Sequence, residues 1–293
     1  MARNRFKWIF LFSVIPLTVY IVIVIVPLLS SFYYSFTDWN GFRQTYNFVG
    51  FDNFAKIFTD KLFANAIKNT LIWMGAALVL PVGGGLILAL LLNEEIKGAK
   101  IFKSLFYLPI CLSLAVVGQV WIWIYMPNWG LINTVLNALH LDALTLAWLA
   151  NPKTALICVI VAWSWSQMGL AMVIFLAGLT SIPTELAEAA EVDGASYSQI
   201  LRRVVVPLLS PATTVVIALM IINSLKSFDV VYMMTQGGPF HSTDTLAMFM
   251  FNETFKKYYM GYGSAIAVVL FLIAMVIIVF YFRQVRTLEH LYD

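Results

Sequence analysis

Few residues in this 293-residue chain carry groups able to do chemistry, and most of them lie inside apolar runs. Ser166 and Gln167 share one such run and one helical face with Trp163 and Leu170. Asn223, Ser224 and Ser227 fall in another, with Asn223 and Ser227 spaced one helical turn apart. Gln119 stands near Trp121 and Trp123 in a third. Amides, hydroxyls and aromatic faces are the groups that hold hydroxyl-rich solutes such as sugars. The same side chains also serve as hydrogen-bonding glue between helices, and the residues alone leave both roles open. No catalytic constellation accompanies them. There is no G-x-x-x-x-G-K-[ST] phosphate loop, no H-E-x-x-H, no G-x-S-x-G and no pair of carboxylates within an apolar run. His140, His241 and His290 are too scattered to read as a metal cluster, and Cys111 and Cys158 read as small buried residues.

A second stretch, Ile182–Pro211, is polar and patterned. Pro183 and Glu185 suit the first turn of a helix, Leu186, Ala187, Ala189 and Ala190 continue it, and Asp193-Gly194 breaks it. Ser196 with Gln199 reads as a capping box opening a second helix, whose apolar stripe is Ile200, Leu201, Val204 and Val205. Arg202 and Arg203 lie off that stripe. The expectation is two short helices about a glycine hinge, shaped to be gripped by a partner, with Pro207 as the point where force enters the next apolar run.

The elements that position these residues follow from composition. The chain is 61% hydrophobic and 11% charged, with mean hydropathy +0.85, against about 25% charged in a soluble domain. Six runs, 8–29, 71–92, 104–126, 154–180, 208–228 and 262–282, are each long enough to cross a bilayer as helices. An all-α integral membrane protein with a single transmembrane domain over 1–293 is expected. Six spans put both termini on one side. Arg3, Arg5, Lys7, Lys97, Lys100, Lys103, Arg202, Arg203, Arg283 and Arg286 crowd the short loops of one set. The longer loops of the other set carry Arg43, Lys56, Lys61, Lys68, Lys153, Lys256 and Lys257. The denser set, which includes 181–206 and both termini, is therefore expected in the cytoplasm. Spans nearly free of ionisable groups argue against an ion-coupled carrier. A scaffold that binds an ATPase for signalling remains the rival from another class.

With that loop placed in the cytoplasm, Glu188-Ala189-Ala190-x-x-Asp193-Gly194-Ala195, followed by Val204-Val205-Val206-Pro207, resembles the EAA loop of membrane subunits of binding-protein-dependent ABC importers. Leu201, Val204 and Val206 stand where the family pattern has an aromatic, Ile and Leu. Asp229-Val230-Val231-Tyr232, Thr235-Gln236-Gly237-Gly238-Pro239, Thr245-Leu246 and Gly50-Phe51-Asp52-Asn53-Phe54 resemble the carbohydrate branch, the maltose- and glycerol-phosphate-type permeases. The resemblance implies a type I importer permease fold in a bacterial or archaeal cell membrane. It implies a second homologous permease subunit, two ATPase subunits carrying ATP and Mg, and an extracytoplasmic solute-binding protein delivering a sugar. It implies no cofactor and no catalysis in this chain. Glu188, Ala189, Ala190, Asp193 and Gly194 would dock the ATPase, and Ser166, Gln167, Asn223, Ser224 and Ser227 would line the solute path.

Overall fold

The computed structural model describes residues 2–93 and 98–289; Lys97 and His290 lie outside them, as do the side chains of Arg3, Arg5, Lys7 and Arg286. Among the described residues the secondary structure is helical, with one isolated β-bridge between Thr37 and Phe48. Two compact units are present: 1–61 with 250–273, and 62–249 with 274–293.

In the first unit, α1 runs from Ala2–Tyr20 through a π-helical turn, Ile21–Ile25, into Val26–Tyr34. Its span, Phe12–Tyr34, has none of its most apolar window buried. Such a cylinder is a lipid-facing or partner-facing surface. A short helix, α2 (Asp52–Thr59), follows a compact loop. Asn53 Nδ2 ties that loop by donating to the carbonyls of Ser35 (2.9 Å) and Thr37 (2.8 Å). Asp38 accepts from the Asn47 backbone N–H (2.7 Å) and Nδ2 (3.0 Å), which holds its carboxyl below the usual carboxylate range. Tyr262 donates to Asp60 (2.8 Å), and the Lys56 ammonium lies 4.1 Å from the centre of the same ring.

The second unit holds the long α3 (Lys61–Asn93), α4 (Ala99–Tyr107), α5 (Leu114–Ile124), α6 (Leu131–Ala138) and the central α7 (Ala155–Thr180). It continues with α8 (Thr184–Val192) and α9, which runs from Tyr197–Ile200 through a π-turn, Leu201–Val205, to Val206–Leu208. Then come α10 (Ser210–Leu225), α11 (Asp229–Met234) and α12 (Leu246–Phe251). The last helix, α13 (Met260–Glu289), extends into this unit. The core forms around α7, whose most apolar window is 61% buried. It includes Trp73, Val159, Ala162, Trp163, Met172, Phe175, Val216 and Met220. A methyl group on Gly85 would fall 2.5 Å from Ala171 Cβ, so α3 and α7 approach as closely as small residues allow in membrane helix pairs.

Among the described residues, four helices are long and apolar enough to span a membrane, or up to six if each of two bent helix pairs is one span. The third expected span is not one straight helix. The run 104–126 bends by 105° between Ala99–Cys111 and Leu114–Ile124. Pro109 sits in a 3-10 turn there, Leu112 is extended, and Ser113 Oγ caps the new helix by accepting from Val116 N–H (3.3 Å). Cys111 is exposed at this break rather than buried, while Cys158 is buried as expected. At the start of the fifth run, α9 and α10 meet at 66° between Leu208 and Ser210, with Pro211 in the first turn of α10. Helix α10 ends at Leu225, so Ser227 lies beyond it and is not on its face. Pro207 sits inside α9, and the joint falls at Leu209, which is buried.

Candidate functional site

The polar residues at membrane depth are brought together by α7 and α10. Ser166 Oγ donates to its own helix at the Trp163 carbonyl (2.8 Å), and Gln167 Nε2 donates to Ser166 Oγ (3.3 Å). Across the helix pair, Asn223 Nδ2 donates to Gln167 Oε1 (3.2 Å). Gln167 is buried and Asn223 half-buried. The result is a relay from Asn223 through Gln167 and Ser166 to a backbone carbonyl. A buried amide without a partner would cost about 1–3 kcal/mol, so the two amides hold each other until something replaces one of them.

The other two expected residues do not join this relay. Ser224 is fully buried and spends its hydroxyl on the Ile221 carbonyl (2.8 Å). Ser227, in the turn after α10, offers its carbonyl to Thr245 Oγ1 (2.8 Å), and its own Oγ meets no partner among the described residues. Gln119 is half-buried on α5. Trp121 packs on Tyr125 and Trp165 at ring separations of 5.3 and 6.0 Å, and Trp123 is exposed.

Sequence reasoning missed the contribution of α3. Trp73 is fully buried and meets Trp163 edge to face, with ring centres 5.8 Å apart. One turn earlier, Thr70 Oγ1 donates to Ala66 O (2.8 Å) and accepts from Leu246 N–H (2.9 Å). Asn69 Nδ2 donates to the carbonyls of Ser242 (3.1 Å) and Asp244 (2.9 Å), and Asn65 Nδ2 to that of His241 (2.7 Å). Asn65, Asn69 and Trp73 are spaced by four, the signature of one helical stripe. The apolar run begins at Leu71, six residues after the stripe does, so hydropathy assigned its first members to a loop.

These α3 amides hold the segment between α11 and α12. Thr235 and Thr243 hydroxyls lie 2.7 Å apart, Thr243 Oγ1 donates to Gly238 O (2.8 Å), and His241 Nδ1 lies 2.6 Å from the buried Asp244 carboxylate. Gly237 has φ +91°, and a Cβ there would collide with the Asp244 carboxylate, so only glycine fits. The Gly238–Pro239 peptide is cis.

The segment 182–206 forms the two helices and hinge that its sequence dictates. Helix α8 ends in a Schellman motif: Gly194 N–H donates to Glu191 O (2.9 Å) and Ala195 N–H to Ala190 O (3.0 Å), with Gly194 at φ +80°. This accounts for the spacing Glu-Ala-Ala-x-x-Asp-Gly-Ala, because the glycine must stand at the left-handed position closing the helix. Ser196 N–H donates to Gln199 Oε1 (2.7 Å), forming the capping box that starts α9. From Ser181 to Leu208 no residue is buried. Glu188, Ala189, Asp193 and Gly194 are exposed, Ala190 is half-buried, and Arg202 and Arg203 point outward. Val192 is 87% and Tyr197 67% exposed. A cavity of about 430 Å³ is lined by Leu90 and Asn93 of α3, Glu188 and Glu191 of α8, and Tyr197 and Leu201 of α9, among others. No group of three His, Cys, Asp or Glu able to hold a metal occurs among the described residues.

Residues 81–289 match the family described as binding-protein-dependent transport system inner membrane component. A probable ABC transporter permease protein of Pyrococcus horikoshii is 37% identical over 278 residues, covering 94% of each chain. A multiple sugar-binding transport system permease protein of Streptococcus mutans is 33% identical over 282 residues, covering 96% of each. In fold, the chain is similar to a chain of a bacterial alginate ABC transporter solved in complex with an alginate pentasaccharide-bound periplasmic protein. That likeness has a TM-score of 0.85 at 24% identity and covers 98% of this chain and 97% of the other.

Proposed function

This chain belongs to the family of binding-protein-dependent transport system inner membrane components, a multi-pass membrane subunit of a transporter, and on that premise we propose that it forms half of the translocation path of an ATP-driven sugar importer. The observation that carries the reading is the segment 182–206. Its local structure is fully specified by a Schellman motif and a capping box, yet it buries none of its residues. A preformed, uncovered helical elbow is a docking element. Its partner is a separate ATPase subunit, on which ATP and Mg act. Glu188 and Gly194 seat the elbow, with Ala189, Ala190 and Asp193 around them, and the density of basic residues supports a cytoplasmic position for it and for both termini.

Sugar is supported by the sugar-binding and alginate systems among the similar proteins and by the chemistry of the relay. Gln167 and Asn223 are the side chains that exchange their mutual bond for solute hydroxyls. Ser166 orients Gln167; Ser224 packs the helix, and Ser227 shapes the turn that follows. A second homologous permease completes the path, and an extracytoplasmic binding protein delivers the solute. When the ATPase dimer closes, the elbow carries its motion through Leu209 into α10 and reorients the path by rigid-body rotation.

The test is Gly194→Val in the complete transporter. A β-branched residue at positive φ distorts the elbow without touching the spans. The variant is expected to insert and assemble with its permease partner but to lose ATPase co-purification and uptake. Wild-type uptake with normal ATPase recovery would overturn the docking role.

A further inference from the structure

We propose that Trp73 is a further specificity-determining residue of the solute path, its indole N–H being the donor kept for a solute hydroxyl. The inference rests on the path reading above. Trp73 is fully buried, and its Nε1–H meets no acceptor among the described residues. A buried tryptophan N–H ordinarily finds a partner, and the nearby polar groups are already committed. Thr70, one turn away, donates to Ala66 O and accepts from Leu246 N–H. The Trp163 carbonyl, beside the ring that Trp73 packs against, takes the Ser166 hydroxyl, and Gln167 and Asn223 complete the relay. Ser164, the residue after Trp163, is likewise buried with its Oγ unpartnered. An idle N–H therefore belongs to the ring packed on Trp163, and an idle hydroxyl to the residue that follows Trp163 on the relay's own helix.

The chemistry that fits is a neutral polyhydroxylated solute. A sugar hydroxyl accepts from the indole N–H, a second hydroxyl exchanges with Ser164, and the C–H face of the ring lies on Trp163. No Asp, Glu, Lys, Arg or His occurs from Leu71 to Asn93 on α3, or within α5, α7 or α10, so this wall offers no counter-charge to an anionic solute. Trp73 and Trp163 cover each other in this structure, and the donor becomes available as the two rings part.

Two variants separate the N–H from the ring: Trp73→Phe, and benzothienylalanine at position 73, which keeps the outline of the indole and replaces N–H by sulfur. The probe is whichever tritiated disaccharide of a panel (maltose, cellobiose, melibiose, sucrose) the wild-type transporter accumulates. Its binding to the purified permease–ATPase complex is read by equilibrium dialysis. Both variants are expected to weaken binding about tenfold, the worth of one hydrogen bond, with unchanged assembly; the benzothienyl variant keeps wild-type melting, while Trp73→Phe, which leaves a cavity in the core, melts lower. One singly deoxygenated analogue is expected to bind wild type about tenfold more weakly and to lose nothing further in the variants. Gln167→Ala is measured in parallel. Loss in Gln167→Ala with wild-type binding in both Trp73 variants overturns this inference and leaves the path reading standing. Wild-type binding in all three overturns both.

Discussion

Two segments of the second unit invert each other's design. Between α10 and the end of α12, Val230, Val231, Met234 and the whole run from Thr243 to Phe249 are buried. Three α3 side chains, Asn65, Asn69 and Thr70, clamp the backbone there. Between α7 and α10, no residue from Ser181 to Leu208 is buried; Ile182 and Val205 rest half-buried against the core, and the rest of the shape is held by bonds within the segment. The first is specified by tertiary contacts and is complete by itself. The second is specified by backbone caps and presents Leu186, Val192 and Tyr197 to whatever covers them. A segment that keeps its form without a core can be held open for a partner; one that needs a core cannot.

Substitutions can break this contrast, beginning with the largest effect. Asp244→Ala removes a buried carboxylate from His241 and from the Gly237 turn, and about 3 kcal/mol of stability should go with it. Thermal melting of the purified subunit reads this, and a wild-type melting curve would mean that the clamp is not what holds the segment. Asn69→Ala abandons two carbonyls and should cost about 2 kcal/mol in the same assay. On the other side of the contrast, Ser196→Ala loses the capping box for about 1 kcal/mol. That loss should appear as faster amide exchange confined to α9, with global melting unmoved; protection lost throughout the bundle would show that the elbow is part of the core after all. Glu188→Ala sits at the end of the scale. It should leave melting and exchange alone and abolish ATPase-coupled uptake, so a variant that transports normally would strip the exposed surface of its purpose.

How far the sequence predicts each segment follows the same division. The elbow was legible residue by residue, because a Schellman motif and a capping box are local codes and Gly194, Ser196 and Gln199 write them directly. The all-helical architecture of long apolar helices was legible because lipid demands long apolar runs. The bend at Leu112-Ser113 was not, since a hydropathy sum is blind to direction and only Pro109 hinted at it, whereas the joint at Leu209 falls where the polar stretch gives way to the fifth apolar run. Asn65, Asn69 and Thr70 were read as loop because α3 begins ten residues before its apolar stretch. Of the expected path residues, Gln167 and Asn223 meet through a pairing that spacing within either helix does not encode, whereas Ser227 lies off the helix face because α10 stops at Leu225. Trp73 passed as one more apolar residue; full burial together with an N–H that meets no acceptor among the described residues marks it out.

Two of the three π-turns among the described residues immediately precede a proline-bearing helical turn. Ile21–Ile25 and Leu201–Val205 each close with a bond from the next residue, Val26 to Ile21 O and Val206 to Leu201 O. Each is followed by a proline, Pro27 or Pro207, whose ring faces the carbonyl four residues back, Ile23 or Arg203, inside the widened turn. A π-turn closes one residue later than the helix around it, so it absorbs a residue within about one turn. Deleting a single residue between 201 and 205 would restore the ordinary pitch and leave the exposed face of α8 aimed much as it is. The same deletion in the regular helix α10 would turn everything upstream by about 100°. The π-turn is where the chain can change length without changing direction.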